Sequence, residues 1–543
     1  MKNKFIYLAI IAAGFASCEP EFENPVSQDY SAGDADFTSY VAIGNSLTAG
    51  YMDGTVSRGS QANSFPNMLA QQFAVVGGGA FTQPSYAEDV NDLGGILGLA
   101  GTRLVLDATQ VNPNGSVGAV EPIFGTPTIT LTQQATAFNN MGVPGAKSFH
   151  LVAPGYGNIA GVATGQANPY FVRHATSPTA TVLGDAMLKN PTFFTNWIGA
   201  NDVLAYATNG GALADGNTPA ADHNSTGNLN PATYGGNDIT NSTVFGSVYS
   251  TLISTLTSGG AKGVVATVPS VTSIPYFTTV PFAPITAISL GRGLLPTGTI
   301  EQQTAAGVAA INQANAQLYG PLDAVFTALG EPNRINPLST TSANPILIFD
   351  ADATNRSAQI TGALTPTLGA TVAGAFGAVF GRARQATAAD LIVLPASSVI
   401  GTVNASAPST LININGVSFP MANRWVLTPT EQARVSSATT AYNASIRSIA
   451  STNNLAVADM NAILNILVSG LRADNGTLYT ANYFSGGTSE FRVLFSLDGV
   501  HPNARGYSVI ANEVLKVINA HYNAKLPLLN PNNFPGINIL PTN

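Results

Sequence analysis

The sequence predicts an α/β domain, three layers deep, built on a doubly wound, mainly parallel sheet and carrying large insertions. Three observations carry this reading. A short apolar run, Tyr40-Val41-Ala42-Ile43, ends abruptly at Gly44-Asn45-Ser46, the pattern of a buried strand turning into a helix. Val244, Val248, Leu252, Ile253 and Leu256 recur at helical spacing between Thr243 and Leu256, and Gly263–Val268, apolar but for Thr267, follows. Strands that are apolar throughout belong to parallel sheets covered by helices on both faces. The same alternation returns late: Thr428-Pro429-Thr430-Glu431 has the form of a capping box, a helix to about Ala450 follows, and Leu455–Met460 reads as the last core strand.

In chain order, Lys2 and Lys4 precede an apolar run from Phe5 to Phe15 and then Ala16-Ser17-Cys18, the layout of an export signal over residues 1–17. Cys18, the sole cysteine, stands where a bacterial lipobox places its lipidated residue. Lipid on Cys18 would anchor the protein by acyl chains, without a spanning helix; the alternative is secretion with a free cysteine. Glu19, Glu21 and Glu23 resemble the acidic leader of surface-exposed lipoproteins in the Bacteroidetes, and the expected address is the outer membrane. Residues 18–36 are polar, acidic and aperiodic, as expected of a tether.

The domain is expected over residues 37–526. Residues 64–73 form a helix with Pro66 in its first turn, and about 80–135 reads as loops and edge strands. Ser242 is the expected cap of the 243–256 helix, and Gly259-Gly260 its stop. From 270 to 424 the alternation breaks into an insertion. Within it, Ile360–Phe380 lacks charge but is small, partly polar and interrupted by Pro366; it reads as a packed segment or as part of a lid or apolar acyl-binding wall. Asp350, Asp352 and Asn355 lack the glycine and glutamate of a calcium loop, and no metal is assigned. His150, His174 and His223 have no metal-ligand spacing and read as packing histidines. Tyr479, Tyr483 and Phe484 are candidates for the mouth of a site, 504–522 for a closing helix, and the Pro- and Asn-rich 527–543 for a surface tail.

The chemistry sits at the two ends of the domain. Ser46 stands where a strand meets a helix, near backbone N–H groups able to hold negative charge. On these residues alone the plain reading is a helix cap. Near the other end, Ser496-Leu497-Asp498-Gly499-Val500-His501-Pro502 holds an aspartate three residues before a histidine. An aspartate on one ring nitrogen fixes the tautomer that lets the other nitrogen deprotonate a serine.

Gly44-Asn45-Ser46-Leu47 together with Asp498-x-x-His501 resembles the SGNH, or GDSL, esterases and lipases. Two more blocks fit the family in order: Asn140-Met141-Gly142-Val143-Pro144-Gly145, and Gly199-Ala200-Asn201-Asp202 after the apolar run 193–198. Asn45 replaces the family's aspartate, which is not a triad member. The resemblance implies an SGNH-type, flavodoxin-like sheet and a serine esterase with Ser46 as nucleophile, His501 as base and Asp498 as its orienter. The oxyanion would be held by the N–H groups of Ser46 and Gly145, with Gly142 as the fallback, and by the Asn201 side chain. It implies no cofactor. The substrate would be an ester of a lipid or of an acylated carbohydrate. Acyl transfer on the same fold, or a non-catalytic glycan- or lipid-binding lipoprotein, remain open, as does the oligomeric state. The formal net charge of −8, with only 9% charged residues, argues against a nucleic-acid partner.

Overall fold

The computed structural model describes residues 29–111, 117–409, 412–473, 476–484, 492–537 and 539–540. The expected signal peptide, Cys18 and most of the expected tether lie outside the described residues. Five strands form the central sheet: β1 (Tyr40–Gly44), β2 (Asn140–Gly142), β3 (Phe193–Trp197), β4 (Lys262–Ala266) and β5 (Ala456–Ala458). Their order is β2-β1-β3-β4-β5 and every neighbouring pair is parallel.

Parallel pairing needs crossovers, and these lay helices on both faces. Seven position the site: α1 (Ser46–Ala49), α2 (Phe65–Ala74), α3 (Asn201–Thr208), α4 (Ser242–Leu256), α5 (Pro429–Thr452), α6 (Met460–Ser469) and α7 (Ala504–His521). Alternation within β1 divides the core: Tyr40 and Ala42 face the layer of α2 and α7, whereas Val41 and Ile43 face that of α3, α4 and α5. The chain leaves β1 towards β2 and returns to β3 on the other side. The crevice beyond the carboxyl ends of β1 and β3 is therefore the switch point of the sheet, where such folds bind ligands.

Local chemistry explains most boundaries. Thr428 and Glu431 cap α5 reciprocally, as their spacing predicts. The cap of α4 is Asn241 instead of Ser242, its side chain accepting from the Thr243 N–H. Other expectations are corrected by non-local pairing. The folded body begins before residue 37: Ser31 bridges Lys525, the Asp34 N–H donates to the Tyr522 carbonyl, and Ala35 is buried. Leu104–Val111 and Val117–Pro122 form a separate small sheet, whose third strand is Ile539–Leu540 of the expected surface tail. Pro531 of that tail is buried and the Pro535 carbonyl accepts from the Arg505 N–H.

The 270–424 insertion has a core of its own, including Leu318, Tyr319, Phe326, Ile360 and Phe380. Ser357–Phe380 has the length and composition to cross a membrane, yet its backbone is non-helical at Gly369 (φ 76°, ψ 157°). Gly377 lies against Ser357 and Thr361, so the two halves fold back on each other.

Candidate active site

β1 ends at Gly44, which must be glycine because a Cβ there would lie 2.5 Å from the Trp197 carbonyl oxygen of β3. Asn45 then caps α1, its side-chain oxygen accepting from the Leu47 N–H at 3.0 Å. An amide oxygen serves this purpose as a carboxylate would. Ser46 thus opens a helix at the carboxyl edge of the sheet, buried at its base.

His501 reaches it from the far end of the chain. His501 Nε2 is 2.9 Å from Ser46 Oγ, and His501 Nδ1 is 2.9 Å from Asp498 Oδ2. With Nδ1–H donating to the carboxylate, Nε2 is left to accept the serine proton. Gly499 (φ 71°) supplies the turn that lets the Val500 and His501 N–H groups donate to Asp498 Oδ1, each at 2.8 Å. Burial pushes the Asp498 carboxyl up, but the His501 ring and these donors outweigh it and hold the group below its ordinary value.

A loop the sequence reading passed over braces the acid. The Gly54 N–H donates to Asp498 Oδ2 (3.1 Å), Asp53 Oδ1 accepts from the Leu497 N–H (2.9 Å), and the Asp53 N–H donates to Ser496 Oγ (3.0 Å). The Tyr51 ring lies 4.6 Å from that of His501. The Asp53-Gly54 dipeptide marks a turn in the sequence, but nothing local marks its contact with the Asp498 loop.

The Asn140–Gly145 segment is tied to the start of α1: Asn140 Nδ2 donates to the Thr48 carbonyl and the Val143 N–H to the Gly44 carbonyl, both at 3.0 Å. The Gly142 N–H is engaged by its neighbour Asn140 Oδ1 (3.0 Å), which removes it as the fallback donor. Among the described residues the N–H groups of Ser46 and Gly145 meet no acceptor. Asn201 donates one amide hydrogen to the Ala146 carbonyl at 2.9 Å, beside Gly145, and keeps the second. Asp202, next to it, is structural: its carboxylate accepts from the Ser148 N–H (2.9 Å) and Oγ (2.7 Å), while burial raises its pKa.

Ser46, Asn201 and His501 line one cavity of about 110 Å³. The expected mouth residues lie elsewhere, and of the two readings of Ile360–Phe380 the packed segment is the one seen. Tyr479 is buried beneath the tail, with its hydroxyl on Asn532, and Tyr483 braces the acid loop through the Leu497 carbonyl. Neither they nor Phe484 line the cavity, and neither does Ser357–Phe380. The wall is α6, through Ile463, Leu464 and Leu467, facing Val509 and Ile510 of α7. The helical spacing of these apolar residues was visible in the sequence.

Elsewhere, Asp350 pairs with Arg384 and Asp352 with Arg434, so both carboxylates are engaged by arginines. His150 is stacked on Tyr156 and held neutral by burial, its pKa lowered to about 4; His174 is lowered to about 3 for the same reason. Compared with protein-family models, with curated proteins and with solved structures, the chain matches none.

Proposed function

We propose that the protein is a serine ester hydrolase of the SGNH/GDSL type, acting through an acyl-enzyme. The observation that carries the reading is the unbroken relay from Asp498 through His501 to Ser46, with 2.9 Å at each link, at the switch point of a parallel sheet. Support comes also from the four sequence blocks, which occur in family order and converge on this edge. In the reaction, Ser46 Oγ attacks the ester carbonyl carbon while His501 Nε2 takes its proton. The carbonyl oxygen becomes an oxyanion, held by the N–H groups of Ser46 and Gly145 and by the free amide hydrogen of Asn201. The C–O bond to the alcohol then breaks, and His501 returns the proton to the leaving oxygen. Water, deprotonated by His501, attacks the acyl-enzyme and releases the acid and Ser46. Lipid anchoring through Cys18 to the outer membrane is the proposed location.

The test is turnover of p-nitrophenyl esters by the protein and by Ser46→Ala. The expected result is hydrolysis by the first and a loss of at least about 10⁴-fold in the second. Equal rates in the two would overturn the reading.

A further inference from the structure

The cavity beside Ser46 has a chemistry that narrows the substrate. Of the side chains lining it, the polar ones are Asn45, Ser46, Asn201 and His501, all at the reacting end, together with the Trp197 indole. That indole N–H is already engaged by the Thr267 carbonyl at 3.2 Å. Asn45 is engaged as a helix cap. Among the described residues no charged group and no further hydroxyl or amide lines the rest, which is made of apolar side chains from α1, α3, α6 and α7 and from the 269–274, 494–495 and 500–502 segments, with Ala200 and Leu471.

A sugar placed here would lose its hydration with nothing to replace it, which sites selective for hydroxyl groups never allow. An acetyl group would leave most of the apolar wall without contacts. Resting on the hydrolase reading, we infer that the substrate is an ester carrying a straight hydrocarbon chain longer than acetyl, and that this chain lies in the cavity against Leu464, Leu467 and Val509. Any carbohydrate or other polar part of the ester then lies outside. The chain can belong to the acid or to the alcohol; the cavity recognises the methylenes in either case.

The experiment measures kcat/KM along two series: p-nitrophenyl acetate, butyrate, octanoate and palmitate, and the acetates of ethanol, butanol and octanol. Burying each methylene should raise kcat/KM by about threefold to fourfold until the cavity is full. A rise in the first series assigns the chain to the acid, a rise in the second to the alcohol, and either supports the inference. Leu467→Trp should lower the ratio of long- to short-chain turnover by at least tenfold; Ile463→Phe serves if that variant does not fold. Acetate as the best substrate in both series, with no change of ratio in the variants, would overturn it. Binding of the fluorescent fatty acid cis-parinarate to Ser46→Ala separates the two proposals. Binding by a protein that hydrolyses no ester would sink the hydrolase reading and uphold the hydrocarbon site, whereas neither binding nor turnover would sink both.

Discussion

Among the described residues two largely buried His–Asp pairs have nearly the same construction, and one of them stands in a reactive setting. His223 Nε2 is 2.9 Å from Asp238 Oδ2, the same distance as His501 to Asp498, and His223 Nδ1 has a hydroxyl partner in Thr226 at 3.1 Å. Exposure does not separate them, at 7% and 8% against 13% and 12%. What differs is what lies on the far side of the ring. Thr226 is three residues from His223 within one helical turn, and Tyr234 stacks flat on the imidazole at 3.8 Å. That pair closes a loop. His501 instead meets a serine 455 residues away, at a helix N-terminus, beside the unengaged N–H groups of Ser46 and Gly145 and with an apolar cavity in front. A histidine–carboxylate pair is therefore common hardware, and reactivity comes from the nucleophile, the donors for its product charge and room for a substrate.

The comparison breaks most sharply under matched substitution. Asp498→Asn should leave the fold intact and lower kcat on esters by about 10⁴-fold, because the imidazole loses the acceptor that sets its tautomer. Asp238→Asn should leave ester turnover unchanged but cost about 1–3 kcal/mol in urea unfolding, since its carboxylate accepts from His223 and from the Ala221 and Gly235 N–H groups. Loss of activity in both variants would mean that the second pair serves the reaction.

Glu431 shows a smaller effect, that of a buried carboxylate with no imidazole beside it. Burial pushes its pKa up to about 7, against the pull of Thr428 and Asn423. The unfolded chain gives up this proton near 4.5 while the folded protein keeps it. Stability from this group therefore falls as pH rises from about 4.5 to about 7 and is level above. The unfolding free energy of the protein minus that of Glu431→Gln should decline across that window; parallel profiles would contradict the assignment. Asp498 and Asp238 behave in the opposite sense, because donors and imidazole depress them: what they add to stability is present at neutral pH and lost as pH falls through the acid range.

How far the sequence reading reached follows from the range of the forces involved. The strands β1, β3, β4 and β5 were visible as apolar runs, and Ser46, Asp498 and His501 by residue type, because burial and titration leave local marks. β2 has three residues, begins with an asparagine and follows another, Asn139, too little for periodicity to register. Asp53 and Gly54 brace Asp498 across more than 440 residues of chain, and the tail strand pairs with Leu106 and Asp107; neither contact marks its own stretch of sequence. Ile360–Phe380 was open in the sequence between a packed segment and an acyl-binding wall, and the structure shows the packed segment. Its composition suits a wall for acyl chains, but the turn at Gly369 folds it onto the core of the insertion, and α6 takes that place.

The central claim is that Ser46 becomes covalently acylated by His501-assisted attack. Its most direct test is mass spectrometry after incubation with a p-nitrophenyl alkylphosphonate, whose phosphorus accepts the serine oxygen as p-nitrophenolate leaves. The account predicts one adduct per chain, on Ser46, absent in Ser46→Ala, markedly slowed in Asp498→Asn and undiminished in Asp238→Asn. Ester turnover without an adduct, or an adduct on another residue, would contradict it.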